Sequence, residues 1–387
     1  MAEETALPEP ALHLDGGGPL HRLLTLARVE RLRARIAAAL ALGWVPVVAL
    51  AIVDRLATGR VDPLMRDLSV HVRLLVAVPL FLVAGAVLDV LADRVLRRLV
   101  DEGFVGDEQA RFALLVRRTD RLRRARTPEL LLAALSLCAG VGTLVGWMRP
   151  AGIIGGEAAT ALSASRVYYG VVALPLSLFL FARALWQWAI WTRLLGGLSR
   201  LALRLEPAHP DRRGGLAFLK RPSLAFMALW LTAVSCVLSA GWGTRILVEG
   251  VRVTQFTGEL GAFLVLALSL AFGPLLLFTP RLYVAGVRGR RQLSALATEY
   301  ARRFRERWLS REAPEEALLG TPDVQSLADL STTYRETSER ASALLFSRRD
   351  PGVLVVLLLV PMLPLALTEI PLDTLIRKVG ELVLGVH

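Results

Sequence analysis

The chain has 387 residues, of which 54% are hydrophobic, and its formal net charge is +12 at pH 7. The hydrophobic residues are gathered into blocks of about 20, the length that crosses a bilayer core of roughly 30 Å, and this pattern excludes an ordinary soluble globular protein. The positive charge lies between these blocks, where it sets membrane topology and contacts anionic phospholipid, so no nucleic-acid partner is expected.

The cysteines and histidines indicate neither a disulfide framework nor a metal site. Cys138 and Cys236 each lie inside an apolar block and are interpreted there as small hydrophobic residues. The five histidines show no metal-ligand spacing. We therefore predict no cofactor and no metal.

Four segments follow one another along the chain. Residues 1–22 are acidic and rich in Pro and Gly, which predicts a disordered tail and not a signal peptide. Residues 23–287 are expected to hold six membrane spans with basic cytosolic connectors, residues 288–350 a cytosolic helical extension, and residues 351–387 the last span and an outer tail.

The predicted fold class is an all-α integral membrane protein of about seven transmembrane helices. The predicted spans are 34–53, 72–94, 129–148, 167–192, 223–246, 260–284 and 353–370. No internal repeat is apparent in the sequence, because the spans differ in length and in the positions of their prolines. This difference argues against an inverted-repeat transporter.

The basic connectors orient the spans. The segments before span one, between spans two and three, and after span six are rich in Arg, which places them and the N-terminus in the cytosol and the C-terminus outside. The connector between spans one and two also contains Arg55, Arg60, Arg66 and Arg73, yet this topology places it outside. The larger Arg clusters decide the orientation.

Two charged residues are expected within the membrane. Asp89 in span two and Arg183 in span four lie at comparable depths under this topology, and they are candidates for a buried ion pair. The alternative is that both side chains snorkel to the inner interface, where the tryptophans near Arg183 also belong.

The stretch "LEPAHPDRRGGLAFLKRP", residues 205–222, connects spans four and five. Asp211 is expected to cap the following turn and to contact His209, while Gly214 and Gly215 allow positive φ or a close backbone approach. The loop contains neither a nucleophile nor a second His, so we expect an ordered elbow or gate contact and not a catalytic site.

The remaining elements are the helical extension and the last span. Two amphipathic helices within 288–350 would form either a hairpin on their own chain or a subunit contact. In the last span Pro361 and Pro364 break the helix, and Glu369 and Asp373 follow on the outer side. These two carboxylates are candidates for a cation site at the outer mouth; the alternative makes this stretch the exit of the span.

The string "HPDRRGGL" with the tail "LPLALTEIPLDTLIRKV" resembles a bacterial family of multi-pass membrane proteins, and this resemblance implies no activity. The order of seven spans with a cytosolic extension is similar in layout alone to insect chemoreceptor channels. We expect a protein of a bacterial inner (plasma) membrane, forming a homo-oligomer and serving as an ion channel or small-ion transporter. The alternative is a non-transporting scaffold or sensor subunit.

Overall fold

A computed structural model describes residues 31–59, 61–148, 163–309, 322–339 and 343–366 of the chain, and it contains helices and no strand within these ranges. The helices are α1 (Leu32–Gly43), α2 (Val45–Thr58), α3 (Leu68–Asp101), α4 (Gln109–Arg124), α5 (Arg126–Met148), α6 (Ala164–Leu198), α7 (Lys220–Glu249), α8 (Thr257–Leu276), α9 (Thr279–Trp308), α10 (Pro322–Glu339), α11 (Arg349–Leu359) and α12 (Leu363–Ala366).

Six stretches among the described residues are long and apolar enough to cross a membrane. They are 32–58, 68–101, 106–146, 164–198, 217–249 and 253–276, and each overlaps one of the first six predicted spans. The seventh predicted span begins with α11, which has only 11 residues, followed by a 3-10 turn at Val360–Met362 and then α12. The polytopic helical fold is therefore confirmed, and the count of seven is not.

The centre of the bundle is formed by α3, α6 and α7, each of which is more deeply buried than the first, third and sixth stretches. Phe81 of α3 packs edge-on against Phe181 of α6 at 5.6 Å between ring centroids, and Phe181 stacks on Trp230 of α7 at 4.9 Å. The outer helices expose large apolar side chains, such as Leu56 and Leu135. Because these side chains face outward from the bundle, they suit contact with lipid.

Two central helices share an unusual break. In α3, a five-residue π segment at Arg73–Ala77 precedes Pro79, and in α6 an equal π segment at Tyr169–Ala173 precedes Pro175. Proline removes one amide donor and crowds the carbonyl four residues earlier, and a local π turn accommodates both effects.

The π segment and the proline of α3 each lie 96 residues before their counterparts in α6. The same spacing separates the short helical turns before the π segments and the capping residues Asp67 and Ser163. The sequences around the breaks, "VAVPLFL" at 76–82 and "VALPLSL" at 172–178, match at the same spacing. The two π segments also touch, since Arg73 donates to the Tyr169 hydroxyl at 2.7 Å. The structure thus reveals an internal repeat that the differing spans had hidden.

The two ends of the bundle differ in character. We call the end with the C-terminus of α3, the start of α7 and the 199–219 connector the basic end, which the sequence predicts to be cytosolic. Beyond it, α9 packs against α10 as a hairpin, and Trp308 donates to the Asp323 carboxylate at 3.0 Å. The hairpin form of the extension is therefore present within the chain.

Candidate functional site

A buried ion pair joins α6 to α5 inside the bundle. The Arg183 Nε donates to Oε1 of Glu129 at 3.4 Å, and the two residues are only 9% and 7% exposed. The pairing follows from antiparallel packing of α5 on α6, in which Gly140 of α5 lies against Gly170 and Pro175 of α6. Continuing this register along the helices brings position 129 opposite position 183.

Further polar groups lie on the same helices. Gln187 follows Arg183 by one helical turn and is 4% exposed, and Asp89 of α3 is 6% exposed. Gly85, one turn before Asp89, lies so close to Gln187 that an added β-carbon would be 2.6 Å from Oε1 of this amide. The absence of a side chain at Gly85 therefore lets Gln187 enter the interface between α3 and α6.

The structure gives Arg183 a partner that sequence reasoning did not include. Glu129 is the first residue of the predicted third span, and acidic residues are common at the start of a helix because they interact favourably with the helix dipole. Only the packing of α5 on α6 places it opposite Arg183. Asp89 and Arg183 are both buried on helices that pack together, and a direct ion pair between them stays a prediction.

The 199–219 connector is an ordered turn built around Asp211. Its Oδ1 accepts from the backbone N–H groups of Arg213 and Gly215 at 2.8 and 3.0 Å, and its Oδ2 accepts from Ala217 at 2.9 Å. The side chain thus holds three amides at the entrance to α7. Gly214 and Gly215 have φ of +62° and +88°, which glycine adopts without steric cost.

His209 lies beside this carboxylate. Its Nδ1 is 3.0 Å from Oδ1 of Asp211 and 3.2 Å from the Asp211 backbone N, so a neutral ring accepts from the amide and a protonated ring donates to the carboxylate. Burial raises the pKa of Asp211, but the three backbone donors and His209 outweigh burial, and the pKa lies below its ordinary value. The predicted contact of His209 with Asp211 is present.

The connector is fixed to its surroundings on several sides. Arg213 donates to the Leu344 carbonyl at 3.0 Å, and the backbone N–H of Arg204 donates to the Phe104 carbonyl at 2.8 Å. Gly289 of α9 lies directly against Pro207. The segment is therefore part of the folded body of the basic end.

The last helical stretch breaks where its prolines predict. The Ser235 hydroxyl of α7 donates to the carbonyl of Leu358, before the 3-10 turn, and the Ser239 hydroxyl donates to the carbonyl of Pro361, within it, both at 2.6 Å. These serines therefore satisfy two backbone carbonyls next to the break. Glu369 and Asp373 lie outside the described residues.

No protein-family model matches the chain, and neither the curated proteins nor the solved structures include a match to it. The resemblance of the "HPDRRGGL" segment to a bacterial membrane family therefore stays a prediction.

Proposed function

We propose that this polytopic membrane protein passes a small inorganic ion across the bilayer, as a channel or a transporter. The observation that carries the proposal is the buried pair of Arg183 with Glu129 inside a bundle of apolar helices. Charged side chains are rare inside membrane bundles because burying them away from water is costly, and such residues mark ion pathways in membrane proteins.

Stability alone gives little reason to keep this pair. Replacing a buried ion pair by apolar residues of similar volume is often neutral or stabilising. The pair therefore needs a function that apolar packing would not supply, and ion movement is the function that intramembrane charges serve most often.

The charge balance favours a cation or a proton as the transported species. Glu129 and Asp89 provide two carboxylates on helices that pack against α6, where Arg183 is the buried cation. Oε2 of Glu129 is buried and has no hydrogen-bond partner among the described residues, and water or an ion usually satisfies such an atom.

The orientation predicted from the sequence completes the proposal. The basic end would face the cytosol of a bacterial cell, the protein would lie in its inner (plasma) membrane, and the C-terminus would be outside. Glu369 and Asp373 would attract cations at the outer mouth, and the turn around Asp211 would serve as a rigid elbow. Assembly as a homo-oligomer belongs to this proposal.

Ion flux through the purified protein in liposomes tests the proposal. The variants are Glu129→Gln, Arg183→Ala and, as a matched control, Glu249→Gln, which removes an exposed carboxylate from the end of α7. We expect flux that the first two variants alter at equal insertion and that the control leaves unchanged. Absence of flux across several cations, pH values and membrane potentials would contradict the proposal, as would equal flux in all variants.

A second candidate is a non-transporting scaffold or sensor subunit that binds lipid or a protein partner. The specific observation is α9, whose arginines accompany an exposed Leu296, 54% accessible on the surface of the hairpin. This candidate predicts that Arg183→Ala changes only folding or yield, and that Leu296→Ser weakens capture of a partner without changing flux.

A further inference from the structure

A small cavity opens at the basic end, beside the connector turn. Its volume is about 180 Å³, and its lining includes the charged side chains of Arg98, Asp211, Lys220 and Arg221 together with the His209 ring. They come from three parts of the chain: the C-terminal turns of α3, the connector and the first turn of α7. The repeat and the ion pair within the bundle do not account for this convergence of cations.

The residues that line the cavity include more basic than acidic side chains. They combine three permanent cations, Arg98, Lys220 and Arg221, with one carboxylate, Asp211. Both oxygens of that carboxylate are occupied by backbone amides of the turn. The wall therefore presents hydrogen-bond donors to whatever enters, while the charges of Arg98 and Lys220 are balanced by Glu102 and Asp350 next to it.

Two of the cations are held in place by neighbours. The Arg98 guanidinium lies 4.4 Å from the ring centroid of Phe218 and donates to Glu102 at 2.7 Å, and Lys220 donates to Asp350 at 2.7 Å. The guanidinium of Arg221 has no such partner among the described residues and is exposed. Arg221 is thus the cation most available to a ligand.

We propose that this cavity binds a phosphate group. Guanidinium and ammonium groups recognise phosphate oxygens through charge-assisted hydrogen bonds, and Arg offers a planar set of donors for them. The volume corresponds to about six water molecules at roughly 30 Å³ each, below the roughly 300 Å³ at which pockets for whole small molecules begin. The site accommodates the phosphate while the rest of the ligand lies outside.

The position of the cavity allows two sources of this phosphate. The cavity lies where α3 ends and α7 begins, the level at which basic side chains meet lipid headgroups. An anionic phospholipid would place its phosphate in the cavity and its acyl chains along the bundle, whereas free inorganic phosphate would enter from solution. This inference does not depend on ion transport, because it concerns binding alone.

Binding to the delipidated full-length protein tests the inference. Native mass spectrometry would count phosphatidic acid and phosphatidylcholine molecules retained per protomer, and calorimetric titration at constant ionic strength would measure inorganic phosphate. The variants are Arg221→Ala and Arg98→Ala. The matched control is Arg94→Ala, which removes an exposed arginine one turn away on the same helix but outside the cavity lining.

We expect Arg221→Ala to weaken binding about tenfold, Arg98→Ala to weaken it less because Arg98 already pairs with Glu102, and Arg94→Ala to leave it unchanged. Retention of phosphatidic acid but not of inorganic phosphate identifies a lipid as the source, and binding of inorganic phosphate identifies a soluble anion. If neither probe binds the unaltered protein, or if Arg94→Ala weakens binding as much as Arg221→Ala does, the proposed site is refuted. Unfolding midpoints of the three variants distinguish lost binding from lost folding.

Discussion

Gly140→Ala is expected to loosen the packing of α5 on α6, and with it the register that pairs Glu129 with Arg183. A β-carbon at position 140 would collide with the backbone carbonyl of Gly170 and lie 2.5 Å from Cγ of Pro175. Ordinary van der Waals contact begins near 3.4 Å, so relief of the contact with Pro175 alone requires a separation of about 0.9 Å, and the closer Gly170 carbonyl requires more. Neither the carbonyl nor the proline ring can rotate away as a long side chain could.

Overpacking of this kind costs about 1–3 kcal/mol, and close helix approach at small residues is a main source of association within membranes. The matched control is Gly142→Ala on the same helix, where an added β-carbon meets nothing within 4 Å. This control is expected to gain up to about 1 kcal/mol from the better helix propensity of alanine.

Reversible unfolding of the purified protein in mixed micelles, with increasing denaturing detergent, would measure both variants against the unaltered chain. We expect Gly140→Ala to unfold at lower detergent and Gly142→Ala at equal or higher detergent. Equal stability of the two variants would refute the close contact of α5 with α6. It would also contradict the packing register of α5 on α6 that places Glu129 opposite Arg183.

Three further predictions concern the site and the connector. Arg183→Val alone should destabilise the protein by about 3–5 kcal/mol in the same unfolding assay, because the Glu129 carboxylate is left buried without its partner. Adding Glu129→Leu should restore most of this loss, and an absence of restoration would contradict the pairing. Gly215→Ala should lower the thermal midpoint, since φ is +88° and the β-carbon would lie 2.5 Å from the Phe104 ring; an unchanged midpoint would contradict this geometry. The pKa of Asp211 is lowered in the folded state, so its stabilisation is present above about pH 4 and is lost as the pH falls further; Asp211→Asn should flatten this acid dependence of the midpoint.

The sequence predicts much of the fold because membrane spans depend on local composition. Blocks of apolar residues place six helices correctly, and the prolines at 361 and 364 locate the break that follows α11. The serines of α7 that satisfy carbonyls at this break could not be foreseen. Their role depends on which helices pack side by side, which hydropathy does not contain.

The candidate site shows the same division between local and distant information. Asp211 and the two glycines after it were predictable as a turn, because their contacts lie within six residues. The partner of Arg183 lies 54 residues away in the chain. Nothing in the sequence distinguishes Arg221 from the other arginines, and only the fold places it with Arg98 in the lining of one cavity. Distant pairs of charges require knowledge of helix packing.

The internal repeat bears on why the chain keeps charges within its bundle. At the 96-residue spacing, the counterpart of Arg183 is Val87, and the counterpart of Asp89 is Leu185. The first copy thus builds the same interrupted helix, with the same π segment and proline, and has a valine where the second has its arginine. The interrupted helix does not itself require the charge, because the helix with Val87 at this position has the same break. The two interrupted helices therefore share their backbone shape but carry their buried charges at unequal positions, so the break and the charges are separate features of this bundle.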